Sequence, residues 1–478
     1  LEIFLLIIDF AKKNTFTLYP MRLFHFRQKG PKENEEIFRR RGKSLGLIEL
    51  VAIALGGMIG GGIFTILGIS VSMVGYLTPL AIGIGGFVAL LAAYSYVKLG
   101  LYYKDEGATY AMFKRSYPQS HLAASVIGWF TIFGYISTLS LYAYTFSSYA
   151  ISGFSFSDNE WIRKLVAIGI VAVFSSINIW SVKGMGKIED IMVYTKVAVL
   201  AIISYVLIAH STHSFPDFFA MMASDAKKTP ILNVLIVASV TFVAYEGFQL
   251  VINAVNEMKH PEKNIPRAIY TAIATAAGIY IFIALAALIT LPLSDIIAHQ
   301  EYALAAGATQ IIGKIGRDMV ITGAVLATSS AISGTLFGAS RQLAVIAHDG
   351  YMPAFLARRK PNHIPVNAIL IMAGMAAFLI LTGGLRIILE FGSITFIFIS
   401  LLMAVANFKM HKKTKASPTL TVLSIAGLGI AAILIVYYEY YHHPEQLVFI
   451  VTLYFILSIA SLLYAYIQRS RNHHHMPR

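Results

Sequence analysis

Apolar runs of about 20 residues recur along this chain, each long enough to cross the roughly 30 Å hydrocarbon core of a bilayer as a helix. They lie at 45–70, 74–102, 121–151, 162–181, 188–209, 231–256, 265–291, 319–347, 366–382, 385–408, 419–441 and 447–467. A helix pairs its own backbone groups, so lipid can surround it. Composition agrees, because 57% of residues are hydrophobic, only 13% are charged, and the mean hydropathy is +0.68. Soluble globular proteins carry roughly 25% charged residues. A soluble core has no room for this much apolar surface, which excludes a soluble enzyme. Unbroken runs also argue against an outer-membrane barrel, whose strands alternate polar and apolar residues over about 10 positions. The expected fold is an all-α polytopic membrane protein with 12 transmembrane helices.

An even number of spans puts both termini on one side. With residues at span ends assigned to the nearer gap, that side holds 30 of the 38 lysines and arginines, the opposite side 7, and Lys196 lies inside a span. This asymmetry predicts a multi-pass protein of the cell (inner or plasma) membrane with both termini in the cytoplasm. The net charge of +14 therefore reports topology rather than a nucleic-acid partner. Segment 1–43 reads as a cytoplasmic N-terminal region, with Arg39, Arg40 and Arg41 as a topology anchor. Leu1–Phe10 is too short to span and the chain does not begin with Met; either Met21 is the true start or the preceding segment is native. Residues 44–210 carry the first five spans, 211–408 the next five, 409–467 the last two, and 468–478 form a cytoplasmic tail. Residues 299–316 read as a short amphipathic helix on the outer face, too polar to span.

Two spans are interrupted. The first contains Gly56-Gly57-Met58-Ile59-Gly60-Gly61-Gly62-Ile63-Phe64, more glycine than a small-xxx-small packing face requires. A glycine cluster at membrane depth marks either close helix packing or a place where the helix opens onto a cavity. The sixth contains Phe242-Val243-Ala244-Tyr245-Glu246-Gly247-Phe248, a carboxylate beside glycine near mid-bilayer. Such a Glu costs a few kcal/mol if ionised and unpaired, so it faces an aqueous cavity, finds a partner or is protonated. The interruptions are five spans apart, the correspondence expected of two inverted five-helix repeats whose broken helices build one midplane site.

The chemistry of such a pair follows from helix ends. Freed N–H groups at Gly60, Gly61 and Gly62 form a positive terminus suited to a carboxylate. Carbonyls freed around Ala54–Gly56 and Phe242–Ala244 suit an ammonium group. Together they describe the backbone of a free α-amino acid, provided the two breaks face each other. Tyr245 and Glu246 join this candidate substrate-binding set.

Lys196, about 8 residues inside the fifth span, has two readings. It snorkels to the headgroups, or it gains and loses a proton as the cavity changes sides. Ser329 and Ser330 in span eight can supply hydroxyls near such a cation, or bond within their own helix. The sequence predicts no catalytic residues, metal site or cofactor: cysteine is absent and the 14 histidines show no metal-ligand spacing. A membrane enzyme would need a nucleophile with a base in reach, and a channel a continuous polar pore; the deepest charges, Lys196 and Glu246, point instead to an occluded site.

Four separate motifs resemble the amino acid/polyamine/organocation (APC) superfamily of secondary transporters: the glycine-rich Gly56–Phe64, the Phe242–Gly247 break, His260-Pro261-Glu262-Lys263-Asn264-Ile265-Pro266-Arg267 after span six, and Ala347-His348-Asp349-Gly350-Tyr351-Met352-Pro353 after span eight. The resemblance runs over about residues 44–408. It implies a leucine-transporter-type fold of two inverted five-helix repeats plus two C-terminal helices. It also implies carboxylate binding at Gly60–Gly62, amine binding near Phe242 and Ala244, and alternating access. Lys196 resembles the fifth-helix lysine of a proton-coupled amino acid permease branch, whose ammonium stands where sodium-driven relatives hold an ion. The resemblance implies proton symport of an amino acid, or obligate exchange of amino acids or amines. Glu246 departs from the general family pattern, and can bind a substrate amine, relay protons or pair with Lys196. Neutral substrates are expected over strongly cationic ones, which call for more than one acidic residue in the cavity.

Overall fold

The computed structural model describes residues 45–157, 159–180, 182–299, 302–360 and 364–474. The expectations for 1–43, including Met21 and the Arg39–Arg41 anchor, lie outside the described residues, as do the last four residues of the tail. The first apolar run forms two helices, α1 (Leu47–Met58) and α2 (Gly61–Val74). Gly75, at φ +53°, turns the chain into α3 (Thr78–Tyr103), with Pro79 in the first turn, where its missing N–H costs nothing. A short helix α4 (Ala108–Ser116) follows, then α5 (His121–Ile151), α6 (Glu160–Trp180) and α7 (Val182–Ala209).

The second half opens with α8 (Phe215–Lys228), then α9 (Ile231–Thr241), a 3-10 turn at Phe242–Tyr245, and α10 (Leu250–Asn253). Next are α11 (Pro261–Thr290), α12 (Leu293–Ala298), α13 (Ala303–Ile312) and α14 (Lys314–His348). The chain ends with α15 (Val366–Thr382), α16 (Leu385–Thr414), α17 (Pro418–His442) and α18 (Pro444–His474).

Ten helical stretches, counting α2 and α3 as one, are long and apolar enough among the described residues to cross a membrane; α1, α13 and α15 are apolar but shorter. The protein is an all-helical, polytopic membrane protein. Where the sequence predicted one amphipathic helix over 299–316, the chain forms α13 and turns at Gly313 (φ +74°), and α14 starts at Lys314, five residues ahead of the predicted span. Helices α4 and α8 were not legible as apolar runs: α4 is only nine residues long, and α8 buries Phe218 but leaves Phe215 and Phe219 exposed.

The apolar windows divide the bundle into two shells. Those of α16 and of the segment Ile231–Asn253 are 78% buried and that of α14 is 72%, against 17% for α18, 28% for α6 and 33% for α17. The first set is therefore the protein core and the second the lipid face. At one end, the motif residues clamp helices together. Asp349 accepts from Tyr110 Oη (3.0 Å) and Lys114 Nζ (2.8 Å), Glu262 pairs with Lys104, Asp105 with Arg115, and Glu106 with Arg359 (3.8 Å). Tyr351 bonds His121 Nδ1 through its hydroxyl (3.0 Å) and accepts from Trp129 Nε1 at its carbonyl (2.9 Å); burial and the neighbouring Asp349 push its phenol up to about 12.

Candidate substrate site between two broken helices

Between α1 and α2, Ile59 and Gly60 leave helical geometry, so carbonyls that would each receive an N–H four residues on are released. An unpaired carbonyl in a lipid-surrounded core costs several kcal/mol, so each needs another donor. The structure supplies one from a different helix each time. Tyr142 Oη of α5 donates to Gly57 O (2.7 Å), and Tyr280 Oη of α11 to Met58 O (2.7 Å). Lys196 Nζ of α7 donates to Gly56 O (3.2 Å) and Ile59 O (2.7 Å), and also to Ser330 Oγ of α14 (2.6 Å). Lys196 is fully buried. An ammonium has three donors to give, and these three oxygens can take all three.

The second break lies beside the first. Tyr280 Oη also meets Ala244 O (2.9 Å), bonding the two breaks through one hydroxyl. Glycine is required where they touch. A Cβ on Gly57 would stand 3.1 Å from Gly247 Cα, and one on Gly247, whose φ is +125°, only 2.5 Å from Gly57 C. The triplet is equally tight, since an added Cβ would lie 2.7 Å from Ala331 Cβ at Gly60, 2.6 Å from Thr145 Oγ1 at Gly61 and 3.1 Å from Ala244 at Gly62. Close packing and a helix break, which the sequence left as alternatives, coexist here. The α2 N-terminus has no side-chain cap, and Ala244 of the opposing break lies next to Gly62 in its first turn.

Glu246 is buried, with Oε2 accepting from Gln249 Nε2 (2.7 Å), while the Gln249 side-chain oxygen takes Gly247 N–H (3.1 Å). Its second oxygen has no hydrogen-bond partner among the described residues, and Tyr96, Tyr135 and Tyr142 are its electrostatic neighbours. No ion pair joins Glu246 to Lys196 among the described residues.

The candidate residues thus divide. Gly60, Gly61, Gly62, Ala244 and Glu246 line the meeting of the breaks, and Lys196 and Ser330 brace the first from behind. Ala54 lies inside α1, before the first freed carbonyl, and Phe242 is buried in the 3-10 turn. Tyr245 turns its hydroxyl away, to Ile82 O of α3 (2.9 Å). Ser330 rather than Ser329 bonds Lys196. Sequence reasoning missed Tyr142, Tyr280 and Gln249: among 26 tyrosines, nothing in spacing marks the two that meet freed carbonyls.

The amino acid permease family pattern matches residues 45–460, spanning both breaks and the helices that brace them. The chain belongs to that family. Relatives of this permease include an uncharacterized protein of Methanocaldococcus jannaschii, 27% identical over 84% of this chain and 90% of the relative. The inner membrane transport protein YbaT of Escherichia coli is 30% identical over 62% of this chain and 67% of the relative, and the methylthioribose transporter of Bacillus subtilis 25% identical over 81% and 87%. The family, and the names of the last two relatives, make the permease a membrane transporter.

Proposed function

We propose that this permease is a secondary active transporter that moves amino acids across a cell membrane by alternating access, coupled to protons. The observation that carries the reading is Lys196, a buried amine tied to the end of α1, to the first break and to α14. The substrate carboxylate binds the N–H groups of Gly60, Gly61 and Gly62, and its ammonium binds carbonyls of the opposing break near Phe242 and Ala244. Proton loss from Lys196 removes a donor from the brace and frees the first break to shift. Glu246 sets the polarity of the side-chain pocket. The fold consistent with this is two inverted repeats, α1–α7 and α8–α16, plus α17 and α18, giving 12 spans with both termini cytoplasmic.

Names of relatives support the substrate class. Large neutral amino acids transporter small subunit 2 of Homo sapiens is 25% identical over 76% of this chain, which favours neutral amino acids, while the methylthioribose transporter widens the panel to test. A second reading, obligate exchange, is favoured by the same three bonds, because a lysine so held can serve as a strut alone.

Uptake of labelled amino acids and methylthioribose into sodium-free proteoliposomes, with and without an inward proton gradient, separates the readings. Gradient-driven uptake that Lys196→Ala abolishes supports symport. Uptake only into vesicles preloaded with unlabelled substrate, in both proteins, supports exchange and removes the proton role of Lys196.

A further inference from the structure

A second buried ionisable cluster lies at the end of the bundle away from Asp349, on helices that contribute nothing to the Lys196 brace. Arg386, in the first turn of α16, donates from Nε to Glu390 Oε1 (2.8 Å) and from Nη2 to Tyr438 Oη on α17 (2.9 Å). The Gln446 side-chain amide on α18 lies against the same carboxylate, and with its nitrogen turned toward Glu390 it donates to that carboxylate. Glu390 is thus well supplied with donors. Glu439, next to Tyr438, is not: its residue is 0% exposed, and neither carboxylate oxygen has a partner N–H or O–H among the described residues. Its carboxyl lies within hydrogen-bonding reach of the Glu390 carboxyl.

The other groups in the cluster cannot supply the missing donor. His443 Nε2 faces Tyr438 Oη (3.4 Å), and the His442 ring stacks on Tyr438 with its Nδ1 against the Tyr438 carbonyl (3.1 Å). Helices α9 and α15 contain no ionisable residue, and α3 meets the beginning of α17, through Tyr94 at Ser417 and Lys98 at Lys415, a full helix length from Glu439. Helix α5 offers α16 a serine here, Ser137 Oγ donating to Ile388 O (2.5 Å). One guanidinium therefore faces two carboxyl groups.

We propose that Glu390 and Glu439 form a proton-binding site, in which Glu439 carries one proton and donates it to the Glu390 carboxylate, pinning the α17–α18 hairpin to α16. The charges then balance: Arg386 positive, Glu390 negative, Glu439 neutral. The O–H of Glu439 itself makes a hydrogen bond between the two carboxyls, leaving only its carbonyl oxygen without a donor. Loss of that proton leaves two facing carboxylates and a buried oxygen pair without a donor, which pushes α16 and α17 apart.

The test uses the full-length permease in nanodiscs. Infrared spectra of the Glu246→Gln protein at neutral pH, where exposed carboxyls are ionised and Glu246 no longer contributes, are expected to show a protonated-carboxyl band that adding Glu439→Gln removes. Thermal unfolding over about pH 6 to 9 is expected to fall with rising pH in the unmodified protein and to flatten in Glu439→Gln, whose amide keeps a donor without titrating. A band that survives Glu439→Gln, or unfolding curves of protein and variant that run parallel across that range, overturns the proposal. If Glu439→Gln fails to fold, Glu390→Gln decides: with Arg386 released to it, Glu439 ionises and the band disappears, whereas a persisting band refutes proton sharing.

Discussion

Lys196 and Tyr280 each hold main-chain oxygens at the first helix break, and their replacement should have different signatures. Lys196→Ala strands Gly56 O and Ile59 O in a buried site, each worth several kcal/mol if left dry. The expected result is loss of the response to a proton gradient together with a lower unfolding temperature; Lys196→Arg, which keeps a cation but not its compact three-donor head, should restore stability more than coupling. Both are read from uptake and thermal unfolding of the same preparations. Tyr280→Phe removes one hydroxyl shared by two carbonyls, Met58 O and Ala244 O. Hydrogen bonds between membrane helices average about 0.6 kcal/mol and reach about 1.7. A destabilisation of about 1–2 kcal/mol with a weakened substrate affinity is expected, measured by denaturant unfolding and by the concentration dependence of uptake.

At the scale of elements, the connection from the 3-10 turn into α10 depends on Gly247. Its positive φ and its 2.5 Å approach to Gly57 leave no place for a methyl group, so Gly247→Ala should separate the breaks and cost at least about 1–3 kcal/mol, read as lost uptake with impaired folding. Helix α8 offers a milder case. Ser214 N–H and Oγ both donate to Asp217, and Asp217 N–H returns to Ser214 Oγ, so these bonds hold the Asp217 carboxyl below the usual carboxylate range. A group favoured in its charged form in the folded helix stabilises it above the ordinary carboxylate range, and that help is lost as pH falls through the lowered value. Amide protection at the start of α8, taken relative to intrinsic exchange at each pH, should therefore fall on acidification, and Asp217→Asn should remove that fall.

What could be read from residues alone follows the physics of each element. Runs set by lipid thickness were legible because a bilayer demands length and apolarity in every register, and the breaks because clustered glycine, or glycine beside a carboxylate, has few other uses at depth. Helices α4 and α8 escaped, since a nine-residue helix and a helix buried on one side leave no long run to find. The donors at the first break escaped for a different reason. Tyr142, Tyr280 and Lys196 meet the same four-residue stretch from positions 85 to 222 residues away in sequence, and no local pattern encodes such a convergence.

For the molecule as a whole, one end is tied by Asp105–Arg115, Glu106–Arg359, Lys104–Glu262 and the Tyr110–Asp349–Lys114 group. Isolated surface pairs contribute about 0–1 kcal/mol, yet these share the short segments after α3 and α14 and act together. Asp349→Asn, which keeps the shape but removes the charge, should speed amide exchange in α4 and over 349–360 by up to about tenfold, the equivalent of about 1.4 kcal/mol, while leaving α5 unchanged. The consequence of the first break is one of timing. Because donors from α5, α7 and α11 all end on Gly56–Ile59, that stretch cannot drift by small steps; several bonds must let go together before any new set forms. Such a joint is quiet for long intervals and then moves abruptly, so its crossings should carry a large activation enthalpy and turnover should rise steeply with temperature, while the affinity of the resting protein changes little.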